Sequence, residues 1–296
     1  MSSPARQQRS GPSARRSSGF ALALCLAFAL SAAPVFAQEA IEPDRPDVTN
    51  GARLVGPRVV QFEVGGIYSR QSAEEHGTGS PIAVRVGVRD WIEARASWDG
   101  WISSTDAGSS VTGGGNIQLG AKIRIWPDAT GQSRLSLLPT VNLPTASEEK
   151  GLGTGRTDFT LLALTGFDLG PSAHLDVNYG IGAIGSDRGG PRFVEHLASA
   201  SLSASVGRWN PWGEAFVISR DHIEGSTVVG VTTGAIVLVN PRFALDGGVE
   251  FGVTEEAPSF AAFAGFSVAL DRWRSEASRR SGRRSSRRRR LVPPPR

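Results

Sequence analysis

Between residues 58 and 270 the chain alternates apolar and polar side chains almost without a pause. In Ile82-Ala83-Val84-Arg85-Val86-Gly87-Val88-Arg89, one parity holds Ile82, Val84, Val86 and Val88, and the other holds Ala83, Arg85, Gly87 and Arg89. A period of two is the signature of a strand with one apolar face and one wet face. The same reading predicts twelve strands, at 58–69, 82–89, 91–99, 116–126, 134–143, 158–169, 174–183, 194–207, 212–220, 227–240, 242–253 and 260–270. The segment 212–220 fits least well, because Glu214 shares its parity with Phe216 and Ile218. These segments are close to the length a tilted strand needs to cross a bilayer, and bacterial single-chain barrels have even strand numbers.

The connections alternate as well. Segments 89–90, 127–133, 170–173, 208–211 and 240–241 are the shorter set, rich in the Pro, Asn, Asp and Gly of tight turns. Segments 71–81, 100–115, 144–157 and 184–193 are long, and 221–226 and 254–259 are the intermediate members of that second set. Barrels of the outer membrane have short periplasmic turns and longer outer loops. The pattern therefore predicts an all-β chain folded as a single transmembrane antiparallel barrel, with both ends on the periplasmic side. A soluble β-sandwich has no reason for such an alternation.

Composition adds an export signal. Arg6, Arg9, Arg15 and Arg16 precede an apolar core from Gly19 to Leu30, and Val35-Phe36-Ala37 is a small-residue cleavage site. Residues 1–37 are thus expected to be a signal peptide that takes Cys25, the single cysteine, with it. The barrel itself has no run of 18 apolar residues, so helical spans are excluded.

The formal net charge of +4 hides three regions. The signal has four arginines, the tail from 271 to 296 nets +9, and the body from 38 to 270 nets −9. A basic whole-chain balance therefore gives no reason to expect a nucleic-acid partner. Outer-membrane lipid is the expected surroundings, in a bacterium of the Gram-negative type.

Trp91, Trp126, Trp209 and Trp212 fall beside short turns, with Trp273 just past the last strand, and Trp98 and Trp101 fall beside a long loop. Amphipathic rings favour the two bilayer interfaces, so these tryptophans are expected to form girdles. The inward parity carries both signs of charge. Glu63, Arg85, Arg95, Lys122, Arg124, Asp246 and Glu250 are its candidate lumen or constriction residues. Ionised groups in a dry core are costly unless paired, so a watered or salt-bridged lumen is implied. Charges that only brace the barrel are the other reading.

The stretch Glu42-Pro43-Asp44-Arg45-Pro46-Asp47-Val48-Thr49-Asn50 precedes the first strand, which carries Gln61-Phe62-Glu63. Together with Leu119-Gly120-Ala121-Lys122-Ile123-Arg124, Leu143-Pro144-Thr145 and Gly153-Thr154-Gly155, it resembles the phenol-degradation meta-pathway family, whose members are often called simply "transporter". The resemblance runs from Glu42 to Leu270. It implies an outer-membrane β-barrel that passes small, often aromatic or hydrophobic, solutes, and it supplies no catalytic residues. Pro43 stands where Thr is usual, and Ala146 where Gly is common.

Prolines at 43 and 46 forbid a helix in the leader, 38–57. Asp44, Arg45 and Asp47 are expected to fold into the lumen from the periplasmic side and to pair with charges such as Arg85 or Glu63. A plain spacer is the alternative.

No enzyme chemistry is expected. Four histidines, His76, His174, His196 and His222, lack metal-ligand spacing, and no cofactor is implied. His196 shares the lipid-facing parity, but serines 199, 201, 203 and 205 lie on the opposite one. Gly151-Leu152-Gly153-Thr154-Gly155 lacks the Lys-Ser/Thr and the helix of a phosphate loop. Gly265, Val268 and Leu270 match the terminal-strand signal read by the barrel assembly machinery. Residues 271–296 are too arginine-rich and too poor in apolar residues to fold, which leaves a periplasmic arm or a tolerated extension. The function expected is a channel for small solutes. The alternative is a plugged structural or adhesive barrel acting through its outer loops.

Overall fold

The computed structural model describes residues 41–45, 48–127, 132–186 and 190–270. The expected signal peptide, 1–37, and the arginine-rich tail, 271–296, lie outside them. Fifteen strands follow in order. They are β1 (Val60–Arg70), β2 (His76–Gly79), β3 (Ile82–Arg89), β4 (Ile92–Trp98), β5 (Trp101–Asp106), β6 (Ser109–Gly114), β7 (Ile117–Pro127) and β8 (Ser133–Leu143), and then β9 (Asp158–Leu169), β10 (Ala173–Ile184), β11 (Phe193–Ala204), β12 (Trp209–Ile218), β13 (Val228–Asn240), β14 (Phe243–Gly252) and β15 (Phe260–Leu270).

Twelve of these close a barrel. β15 through β7 pair in sequence order, then β4, β3 and β1, and β1 pairs back onto β15 over its whole length, from Val60↔Leu270 to Arg70↔Phe260. Every barrel pairing is antiparallel, and closure leaves no edge strand in the wall. The expected twelve-stranded closed architecture is the one observed.

The other three strands lie in segments read from sequence as loops, 71–81 and 100–115, and this is a correction. β2, β5 and β6 extend the sheet beyond the long-loop rim, in the order β1-β2-β5-β6. Breaks at Ser80-Pro81, Asp99-Gly100 and Gly115-Asn116 fall at one level and are stitched to each other. Trp101 N donates to Ser80 Oγ at 2.9 Å, and Gly115 N donates to Gly100 O at 2.8 Å. The extension is Ser-, Thr- and Gly-rich. Past the bilayer no apolar face is needed, so the alternation that marks the other strands is missing there.

The faces follow the period of two. Leu119, Phe159, Leu161, Val177, Ile181, Val231, Leu245 and Phe266 are exposed on the outside, while Gln61, Glu63, Arg85, Glu93, Lys122 and Asn178 are buried inside. Strand β12 departs from this. Trp212, Glu214 and Phe216 all point inward and are buried. The girdle expectation is therefore wrong for Trp212, which is only 6% exposed. Its ring stacks on inward Phe263, with centroids 6.3 Å apart and planes 14° from parallel. Gly234 and Gly248 make room for that pair. A Cβ at Gly234 would lie 3.0 Å from the Trp212 ring, and one at Gly248 would lie 2.8 Å from the Phe263 ring. Trp91, Trp98, Trp101, Trp126 and Trp209 are exposed at strand ends, as girdle residues should be.

Candidate functional site

The interior of the barrel holds a piece of the chain itself. Residues 41–45 and 48–57 run inside the wall before the chain turns into β1. Ile41 N donates to Pro241 O at 2.9 Å, in the turn between β13 and β14. From that rim the leader crosses to the opposite wall and back.

Asp44 is its anchor. The carboxylate lies 2.7 Å from Arg95, 2.6 Å from Lys122 and 3.3 Å from Arg85. Those cations come from three neighbouring wall strands, β4, β7 and β3. Arg85 also binds Glu63 at 3.1 Å and Glu93 at 2.8 Å. Arg85, Lys122, Glu63 and Glu93 are essentially without solvent exposure. Three cations, Arg85, Arg95 and Lys122, thus enclose three carboxylates, Asp44, Glu63 and Glu93. Burial disfavours the ionised form of Asp44, but the charges of Arg85, Lys122 and Arg95 outweigh it and hold the carboxyl well below the usual carboxylate range.

Arg45 takes the other direction. Its guanidinium reaches Asp246 on β14 at 3.4 Å and lies against the registered pair Gly65↔Gly265. A Cβ at Gly65 would lie 2.0 Å from Arg45 NH2, so only glycine leaves space for this side chain.

Further along, main-chain N–H groups carry the contact. Val48 N and Thr49 N both donate to the Glu214 carboxylate, at 3.1 and 2.5 Å. Val48 packs on Phe216, Val228 and Ala257. Ala52 fits against Leu138 and Leu164, and its carbonyl accepts from Ser136 Oγ at 2.8 Å. Lys122 Nζ bonds Gly51 O at 2.7 Å. Arg53 reaches Asp168 at 3.0 Å, a carboxylate shared with Arg134 and His174. Val55 N donates to Glu93 at 2.7 Å. Buried peptide groups need partners wherever they go, and here inward carboxylates and hydroxyls supply them.

Of the ten candidates, the structure brings seven together around the leader: Asp44, Arg45, Glu63, Arg85, Arg95, Lys122 and Asp246. Arg124 and Glu250 stand apart from it, with no side-chain hydrogen bond or ion pair among the described residues. Asp47 lies outside the described residues. Glu214, Glu93, Arg53, Asp168 and Ser136 join the site without having been singled out. The parity conflict of Glu214 with Phe216 was a usable signal, since both are inward because the leader packs on both.

His196 lies on the outer face, where its Nδ1 meets Tyr179 Oη at 2.9 Å. Among the described residues no three His, Cys, Asp or Glu side chains converge as a metal set.

Comparison with known proteins agrees with this architecture. A family model described as "Putative MetA-pathway of phenol degradation" matches residues 43–270, which is the leader and the entire barrel. An outer membrane channel from Pseudomonas putida F1 superposes with a TM-score of 0.60 at 14% identity, over 76% of this chain and 100% of that one. The NanC porin superposes with a TM-score of 0.51 at 10% identity, over 71% of this chain and 100% of that one. At these identities the likeness is one of fold. No curated protein matches the sequence.

Proposed function

The chain belongs to the family whose model spans residues 43–270, and from that premise we propose that it is an outer-membrane channel for small solutes, narrowed by its own leader. The single observation that carries this reading is the leader in the lumen, held by the Asp44–Arg85–Arg95–Lys122 cluster. The wall charges of a structural barrel could brace one another directly. Here three wall cations also converge on a carboxylate of the leader, which ties that segment across the lumen as a constriction requires. The channel structures that share the fold support passage of small solutes, and the phenol-degradation name of the family supports aromatic compounds among them. An outer-membrane location follows from the same fold and from the apolar outer face.

The test is the conductance of the whole protein in a planar bilayer, with phenol or benzoate added to one side. Small, steady unitary currents that the aromatic solute reduces are expected. A barrel that never conducts, in any of these conditions, contradicts the reading and favours a plugged barrel acting through β2, β5, β6 and the outer loops.

A further inference from the structure

On the short-turn rim below β3 and β4 is a cleft of about 240 Å³, lined by Pro57, Arg58, Val88, Arg89 and Asp90. Two local distortions build it. The leader leaves the lumen over Gly87, where a Cβ would lie 2.0 Å from Gly56 O. It then reverses at Arg58, a non-glycine residue with φ of 66°. That conformation is unfavourable for a side chain with a Cβ and persists only where the surroundings impose it. The bonds Arg58 N to Gly87 O at 2.6 Å and Gly87 N to Val59 O at 3.0 Å impose it here. The second distortion is the register shift between Gly87 and Arg89, of the kind that re-aims a strand-end side chain.

The two arginines therefore line one cleft, and neither finds a hydrogen-bonding or ionic side-chain partner among the described residues; the same is true of Asp90. Val88, Trp91, Ile125 and Trp126 are exposed large apolar side chains at the ends of β3, β4 and β7 beside the cleft. Trp91 lies just before β4 and is tied to β7, where Arg124 N donates to Trp91 O at 2.9 Å.

Paired guanidinium groups match the geometry and charge of a phosphate. A purely anionic headgroup, however, would meet Asp90 in the same space. A zwitterion with a primary ammonium would not be opposed there. We propose that this cleft binds the headgroup of an aminophospholipid of the surrounding membrane. Its phosphate lies on Arg58 and Arg89, its ammonium donates to Asp90, and its acyl chains run along Val88, Trp91 and Ile125. The inference rests on the reading of the barrel as membrane-embedded, with this rim in the periplasmic leaflet.

Native mass spectrometry of the detergent-purified protein tests it. The probes are phosphatidylethanolamine, phosphatidylglycerol and phosphatidylcholine of matched chains, and inorganic phosphate. The wild type should retain one phosphatidylethanolamine in preference to the other lipids. The R58Q/R89Q variant should lose that lipid by about tenfold or more, as expected when charge-assisted contacts are removed. The D90N variant should bring phosphatidylethanolamine down to the level of phosphatidylglycerol. Heat-modifiable migration of each variant on a gel checks that the barrel is folded. Equal retention of the three lipids by wild type, undiminished phosphatidylethanolamine on R58Q/R89Q, or retention of phosphate alone would each overturn the proposal. Because bilayer conductance is read separately, a conducting barrel without lipid preference sinks the headgroup site and leaves the channel reading standing.

Discussion

Asp44 is a carboxylate inside a protein wall, and it stays charged because three cations converge on it. Removing one partner of a buried ionic cluster leaves its other members uncompensated, and this typically costs about 3–5 kcal/mol. D44A should weaken docking of the leader by that order, because Arg85, Arg95 and Lys122 would then face only Glu63 and Glu93. The readout is tryptic cleavage of the leader after Arg53, which Leu54 follows, slow in the folded wild type and fast in D44A. R95Q should have a smaller effect, since Asp44 keeps Lys122 and Arg85. Acid gives a second handle on the same residue. The carboxyl of Asp44 is depressed in the folded state, so its contribution is fully present above the ordinary value of 3.8 and is lost as pH falls below it, toward the folded pKa. Protection of the leader from a broad-specificity, acid-active endoprotease should therefore persist at pH 5 and decline only below about 4. Loss of protection already near neutral pH would contradict the cluster as drawn.

At the level of strands, the faces make opposite demands. Leu119 is outward and 46% exposed, whereas Gln118 faces the lumen. L119R should cost about 2–4 kcal/mol near the bilayer midplane, while Q118R should be mild. Urea unfolding of the barrel in lipid vesicles measures both, and equal costs would remove the assignment of faces.

Strands such as β3 were legible because Val84, Val86 and Val88 meet lipid and Arg85 does not. β12 was harder to read, since Phe216 and Trp212 serve the lumen, one under Val48 and the other against Phe263. An inward aromatic that packs on a plug looks, in sequence, like an outward one that packs on lipid. β2, β5 and β6 were missed for a related reason. Strands that project past the bilayer have no apolar side to display, so Ser103-Ser104-Thr105 reads as loop. The lumen cluster was partly legible, because parity identified Arg85 and Lys122 as inward. Parity alone does not say that Glu214 binds main-chain N–H groups of Val48 and Thr49, because that contact joins residues more than 160 positions apart.

The whole molecule is a closed wall with a segment of its own chain threaded inside and a sheet extension on the long-loop rim. Chain direction fixes the sides: the turns at Gly170 and Pro241 lie on the rim opposite the β5–β6 turn at Gly108. A protease site inserted after Gly108 should be cut on intact cells and one inserted after Gly170 should be protected, and the reverse pattern would invert the barrel.

The central claim is that the leader narrows the lumen. Deleting residues 42–50 removes Asp44, Arg45, Val48 and Thr49 and leaves every wall residue in place. The measurement that tests the claim most directly is the single-channel conductance of this deletion beside wild type, with heat-modifiable gel migration showing that both barrels are assembled. The account predicts a larger unitary conductance for the deletion. An unchanged conductance in a correctly assembled deletion would contradict it.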